Sequence, residues 1–242
     1  MRSLQHATLT LNELMAIANT IVLPTLGESS IRIELNHILS ARQEAAASGI
    51  EESWEGDCIV HEGDLTIHGD FSTRTQPACS LLIVTGNLTV SGLLEITLDP
   101  DALVIVMGDL HADRLINMGF LYVHGHVLVN REALWLDNDA TSLIHGNLSA
   151  PFLFTQYHTV NIGGDVLGDL ILGDYDRFES ATAHPFICYD DDEHQDMLVE
   201  SLPEEIFSIE RYDEEEWCIE YVDSPVLSDL VRQGKPILKS RV

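Results

Sequence analysis

Gly86-Asn87-Leu88-Thr89-Val90-Ser91-Gly92-Leu93 and, one step later, Gly108-Asp109-Leu110-His111-Ala112-Asp113-Arg114-Leu115 decide how this chain folds. Each opens on glycine, then a small polar residue, then an aliphatic one. The same phrase returns on both sides, at Gly63-Asp64-Leu65, Gly125-His126-Val127, Gly146-Asn147-Leu148 and Gly164-Asp165-Val166. Successive glycines stand 23, 22, 17, 21 and 18 residues apart. A self-similar step of roughly 20 residues marks a solenoid. In such a stack each repeat touches only its neighbours, and long surfaces face solvent.

A short apolar run precedes the glycine in four repeats, at Leu81-Leu82-Ile83-Val84, Leu103-Val104-Ile105-Val106, Phe120-Leu121-Tyr122-Val123 and Leu143-Ile144. A second follows it, as in Leu134-Trp135-Leu136, Phe152-Leu153-Phe154 and Leu170-Ile171-Leu172. These runs are too short for helices and rich in β-branched residues, so they read as strands. Two or three strands per repeat leave no room for a helix, which excludes leucine-rich and ankyrin geometry. The expected fold is mainly β: a single-stranded, right-handed parallel β-helix over residues 57–173, with coils about 4.8 Å apart.

The glycine is expected to turn a corner between sheets, where left-handed backbone angles penalise a Cβ. The residue after it then stacks coil upon coil as the column Asp64, Asn87, Asp109, His126, Asn147, Asp165. No two successive coils place Asp there, so the column reads as a structural polar ladder. His124 and His145 both precede the corner glycine and are expected to stack beside His126. No Cys or carboxylate stands in register to complete a metal shell, so no metal or other cofactor is expected.

Both flanks lack the repeat. Residues 1–56 carry two helical patterns, Asn12–Asn19 and Ser30–Ala47, the second ended by Gly49. An open solenoid end exposes strand edges and core, so this segment is expected to be a helical N-terminal cap. Residues 174–242 read as a mixed C-terminal region. Pro185–Tyr189 is a possible last strand, and Asp196–Leu202 and Ser224–Gly234 are helices, the latter with Pro225 in its first turn and Gly234 at its C-cap. This region is expected to pack on the end or flank of the solenoid.

The chain has 242 residues, 45% of them hydrophobic, enough for a continuous core. No run of 18 apolar residues is present, so no membrane span is expected, and Met1-Arg2-Ser3-Leu4-Gln5-His6 lacks an apolar signal core. Cys58, Cys79, Cys188 and Cys218 are scattered with no CxxC, which fits isolated thiols in a reducing cytoplasm. The formal net charge is −28, and residues 174–223 hold 18 acidic and only 2 basic side chains. The densest runs are Asp190-Asp191-Asp192-Glu193 and Asp213-Glu214-Glu215-Glu216, and Trp217 and Tyr221 follow the second closely. Acidic residues interleaved with aromatics suit a binding surface for a basic protein, and these ten residues are the candidate partner-binding set. Such a charge repels phosphates, which excludes nucleic acid.

No GxSxG elbow, P-loop, HExxH or paired CxxC occurs, and the expectation is a protein that is not an enzyme. Asp99, Asp101, Asp137 and Asp139 lie between coils and keep a β-helix carbohydrate-active enzyme as one alternative.

The phrases beginning at Gly63, Gly86 and Gly108 resemble a loose group of bacterial solenoid proteins, next to the polymer-forming bactofilins in repeat style. The likeness covers about residues 57–173. Proteins of this group resemble those encoded beside polymorphic or contact-delivered toxins. The resemblance therefore implies an immunity protein that neutralises a basic toxin or effector by stoichiometric binding. Its alternative is a bactofilin-like assembly protein. With both ends covered, a monomer or small homo-oligomer is expected.

Overall fold

The computed structural model describes residues 57–75, 79–97, 102–136, 140–173, 178–180, 187, 192–211 and 217–239. Residues 1–56, where the helical cap is expected, lie outside the described residues. The first coil runs through β1 (Asp57–His61), β2 (Leu65–Ile67) and β3 (Phe71–Ser72). The second holds β4 (Cys79–Val84) and a long β5 (Leu88–Ile96), and the third β6 (Leu103–Val106) and β7 (Leu110–Asn117). Next come β8 (Phe120–Val123), β9 (Val127–Val129) and β10 (Glu132–Leu136), then β11 (Thr141–Ile144), β12 (Leu148–Ser149) and β13 (Phe152–Gln156). The described stack ends with β14 (Thr159–Ile162), β15 (Val166–Leu167), β16 (Leu170–Gly173) and β17 (Phe178–Ser180).

Every pairing in the stack is parallel, and the pairings make three ladders, so the chain is a β-solenoid. The first ladder is β1-β4-β6-β8-β11-β14-β17. The second passes through β2, the first halves of β5 and β7, then β9, β12 and β15. The third passes through β3, the second halves of β5 and β7, then β10, β13 and β16. β5 and β7 bend around the corner as unbroken strands, and their register shifts between Val90 and Leu93. Along the first ladder Ile59, Leu82, Val104, Leu121, Ser142 and Val160 stack. Those partners are spaced like the glycines, so the repeat in the sequence is the register of the sheet.

Coil length varies chiefly at one corner, and by a single residue at the corner between the second and third ladders. Between the third and first ladders, six residues separate Ser72 from Cys79 and six separate Ile96 from Leu103. Two separate Asn117 from Phe120, and two separate Gln156 from Thr159.

The six glycines form one column in which each N–H donates to the carbonyl of the glycine one coil back, from Gly86 on Gly63 to Gly164 on Gly146, at 2.9–3.0 Å. The expected left-handed backbone is present only at Gly63, with φ 85°, and at none of the other five. What the column requires instead is space. A Cβ on Gly125 would stand 2.7 Å from the carbonyl oxygen of Gly108, and one on Gly146 2.5 Å from that of Gly125. Bonded backbones and the adjoining polar side chain leave no room for a methyl group.

That side chain explains the polar column. Asp64 Oδ1 accepts from the Asn87 N–H at 2.8 Å, Asn87 Oδ1 from Asp109 at 2.8 Å, and Asp109 Oδ1 from His126 at 2.8 Å. His126 Nδ1 then accepts from Asn147 at 2.9 Å, and Asn147 Oδ1 from Asp165 at 2.9 Å. Each side chain satisfies a backbone donor that the corner withdraws from the strand ladders. Asp, Asn and His are interchangeable here because each offers an acceptor at the same reach.

Inside the stack, alternate residues of the three ladders form one apolar column, including Leu82, Val104, Leu121, Leu88, Leu110, Leu115 and Trp135. The second ladder alternates cleanly and shows solvent Thr66, His111, Leu128 and Leu167. The third does not alternate: all five residues of β10 are buried, as are all four of β16. Its outward side chains Ile116, Leu134, Phe154 and Leu172 are covered by the C-terminal region. A strand buried on both faces reads as an unbroken apolar run.

The C-terminal region is built from α1 (Asp192–Ser201), a 3₁₀ turn at Glu204–Ile206, the antiparallel hairpin β18 (Phe207–Arg211) and β19 (Trp217–Val222), and α2 (Ser224–Arg232). Leu198, Leu202, Ile206, Ile219, Leu227 and Val231 join the outer side of the third ladder in one apolar cluster. The region therefore lies on the flank, the second of the two expected positions. Asp223 caps α2 by accepting from the Val226 N–H at 3.0 Å, with Pro225 in the first turn. Of the possible strand at 185–189 only Ile187 is described, and it makes a single parallel bridge to Leu172.

Candidate functional site

Polar contacts along a seam hold the C-terminal region to the solenoid. Arg114 of β7 is buried, and its Nη1 donates to the carbonyls of Val231 at 2.6 Å and Arg232 at 3.3 Å. Its Nη2 donates to Asp70 at 3.1 Å. A guanidinium at the C-terminal end of α2 meets the negative end of the helix dipole. Arg131 donates to Gly234 O at 3.1 Å, and buried Glu132 accepts from the Ile237 N–H at 3.2 Å. Arg232 donates to Glu95 at 2.8 Å and to Asp229 at 2.9 Å. Burial works to lower the Arg232 pKa, but the bonds and charges of Glu95 and Asp229 outweigh it and hold the group above its ordinary value. Ser224 also donates to Gln156 across the seam.

The seam and the tail absorb much of the local positive charge. Lys239 Nζ donates to Val199 O at 2.7 Å, and its backbone N–H to Ser201 O at 2.9 Å. Residues 192–210 contain no Lys or Arg. On α1 the spacing divides the helix in two. Gln195 and Leu198 are buried, while Glu193, Asp196 and Glu200 are exposed along the opposite face. The 3₁₀ turn adds exposed Glu204 and Glu205, and the hairpin adds Glu210 and Glu220. The register of β18 on β19 shifts between Ser208 and Ile209, which leaves Glu220 and Tyr221 both exposed. Ser208 Oγ donates to Glu220 at 3.1 Å, and Tyr221 is 46% exposed, an aromatic ring beside carboxylates.

Of the ten residues singled out from the sequence, Asp190, Asp191, Asp213, Glu214, Glu215 and Glu216 lie outside the described residues. Asp192 opens α1 and Glu193 is exposed on it. Trp217 is half-buried and packs against the second apolar cluster. Tyr221 is the exposed aromatic of the set. Asp196, Glu200, Glu204, Glu205, Glu210 and Glu220 extend the acidic surface beyond the two runs. For Asp196 and Glu200 the signal in the sequence is helical spacing rather than density.

The histidines divide by environment. His124 and His145 have ring centroids 5.5 Å apart, and Tyr122 meets His145 edge-on at 5.5 Å. Among the described residues no three His, Cys, Asp or Glu side chains gather as metal ligands. His158 is fully buried, with Nε2 3.0 Å from Ser142 Oγ and Nδ1 3.1 Å from Leu136 O. Ser142 Oγ also accepts from Asn117 Nδ2 at 2.8 Å and Trp135 Nε1 at 3.1 Å. With both lone pairs engaged, the Ser142 proton goes to His158 Nε2, and the proton of neutral His158 sits on Nδ1. Ser142 is buried too, so this Ser–His pair is a satisfied interior network without a path to substrate.

Asp99, Asp101, Asp137 and Asp139 lie outside the described residues. Cys218 is half-buried. Among the described residues no helix is long and apolar enough to cross a membrane.

No protein-family model matches the chain, and no curated protein or solved structure matches it.

Proposed function

We propose that this protein is a non-enzymatic binding protein, an immunity protein that neutralises a basic bacterial toxin or effector in the cytoplasm by stoichiometric binding. The observation that carries the reading is the acidic surface of α1, the 3₁₀ turn and the hairpin, where residues 192–210 contain no Lys or Arg. Seven carboxylates, Glu193, Asp196, Glu200, Glu204, Glu205, Glu210 and Glu220, are exposed on these elements, and Tyr221 is exposed next to Glu220. The acidic runs 190–193 and 213–216 adjoin these elements in sequence and belong to the same surface in this reading. Complementary charge steers the encounter and raises the association rate by orders of magnitude at low salt. Tyr221 supplies the apolar anchor, and Trp217 anchors the hairpin that carries it.

In this reading the solenoid is the rigid mount for that surface. Its winding is right-handed, the hand that parallel strand connections take in nearly all sheets. The protein acts as a monomer or small homo-oligomer and binds neither nucleic acid nor membrane.

The test is co-expression with the reading frame next to its own gene, followed by binding of the purified pair. Rescue of growth and an association rate that falls steeply between low and physiological salt support the reading. Toxicity that persists beside folded, expressed protein, or a rate indifferent to salt, overturns it.

A further inference from the structure

The first ladder carries a second apolar face on its outer side. In β4, β6 and β8 the residues that point away from the core are Leu81, Ile83, Leu103, Ile105, Phe120 and Tyr122, followed by Leu143 in β11. They stack in two columns, Leu81–Leu103–Phe120 and Ile83–Ile105–Tyr122–Leu143. One coil later the outward residues become Thr159 and Asn161, and the apolar strip ends.

These side chains are not open to water. Leu81, Leu103, Ile105 and Tyr122 are 0% exposed, Ile83 1% and Leu143 4%, all within the single chain. Neither described apolar cluster includes any of them. The second ladder shows what an uncovered outer face looks like, with Leu128 39% and Leu167 56% exposed. A strand face with only its own ladder neighbours keeps that kind of exposure, so something else in the chain covers the first ladder.

Length identifies the cover. The C-terminal region is committed to the third ladder. Apart from residues 1–56, each stretch outside the described residues is six residues or shorter. Residues 1–56 lead directly into β1, the terminal strand of this same ladder. They contain Leu14 and Ile17 in one helical pattern and Ile33, Leu35, Ile38 and Leu39 in the other. A helix over 30–47 is about 27 Å long at 1.5 Å per residue, while the strip from β4 to β11 rises roughly 14 Å at the strand spacing.

We propose that the occupant of this face is the chain's own segment 1–56, which docks its apolar helical residues along the flank of the first ladder rather than across the open end of the stack. The solenoid is then sheathed on two of its three sides, by its N-terminal segment on the first ladder and its C-terminal region on the third. Only the second ladder is left bare. The inference is independent of any toxin.

The test uses the full chain with Phe120→p-benzoylphenylalanine, a photoreactive residue at the half-buried edge of the strip. Irradiation of mixed ¹⁴N- and ¹⁵N-labelled protein should give cross-links to peptides from residues 1–56 of the same isotope. Mixed-isotope pairs would make a second copy the occupant, and cross-links to residues 174–242 would make it the C-terminal region; either overturns the proposal. In parallel, Ile105→Asp should speed limited proteolysis within residues 1–56 about tenfold by raising the undocked population. Leu128→Asp on the bare ladder should leave that rate unchanged. A rate unaltered by Ile105→Asp in protein whose β circular dichroism is intact also overturns the proposal.

Discussion

Arg114 Nη1 lies 2.6 Å from the carbonyl oxygen of Val231, two residues 117 positions apart in the chain. One guanidinium thereby ties the third ladder to the last turn of α2, while its Nη2 reaches Asp70 in the first coil. Replacing Arg114 with Met should cost roughly 2–3 kcal/mol, the scale of a charge-assisted hydrogen bond lost at a buried site. Arg114→Lys should recover only part of it, because an ammonium lacks the planar fork. Urea denaturation followed by tyrosine and tryptophan fluorescence measures both.

The glycine column makes two different demands, and asparagine separates them. Gly63 has φ 85° and no atom within 4 Å of a built Cβ, so Gly63→Asn should cost no more than about 1 kcal/mol. Gly125 has ordinary angles but no space, so Gly125→Asn should cost several times as much, on the order of 3 kcal/mol or more. Equal melting temperatures for the two variants would contradict the column geometry.

His126 serves the polar ladder through Nδ1 alone, in the same role as the Asn residues one and two coils away. His126→Asn should therefore melt like the parent protein. His126→Ala removes the acceptor for the Asn147 N–H and should cost about 1 kcal/mol, since water reaches that corner and limits the penalty. Thermal unfolding of the two variants side by side is the measurement.

Ser142→Ala deletes one oxygen that serves three partners, Asn117, Trp135 and His158. All are fully buried, so the loss should be about 3 kcal/mol or more although the volume hardly changes. The Trp135 indole N–H resonance should shift and exchange faster with solvent deuterium. An unaffected resonance would mean that the indole bonds elsewhere.

The acidic surface is predicted to affect association and leave folding intact. Exchanging Glu193, Asp196 and Glu200 for Gln, Asn and Gln removes three exposed charges from one helix face. Stability should change by less than about 0.5 kcal/mol, as is usual for surface sites. The association rate with a basic partner should fall, and with it the salt dependence, because screening acts over about 8 Å at physiological ionic strength. Stopped-flow measurements at two salt concentrations read both.

The coil register was open to a reader of the sequence because each coil spends one glycine at the same corner, and that spacing is the register. The reason for the glycine was not. A left-handed turn and a backbone contact both select the residue without a Cβ, and only geometry separates Gly63 from Gly125. The flank position of the C-terminal region was half legible. Leu134-Trp135-Leu136 and Phe152-Leu153-Phe154 carry no polar alternation, which marks strands buried on both faces but does not name the cover. The carboxylates Glu193, Asp196 and Glu200 on α1 follow a spacing of three and four that the density of the acidic runs does not reveal. The Ser142–His158 pair was invisible, because residues 16 apart meet only when two coils of the right length stack.

The corner between the third and first ladders has a genetic consequence. It accepts two residues in one coil and six in another, and the strands on either side keep their partners. A codon gained or lost there leaves the lattice in frame, whereas one gained inside a strand reverses every later side chain from core to surface. Heritable change in this molecule is thus channelled chiefly to one edge, where foreign loops can be grafted and related chains are free to differ in length.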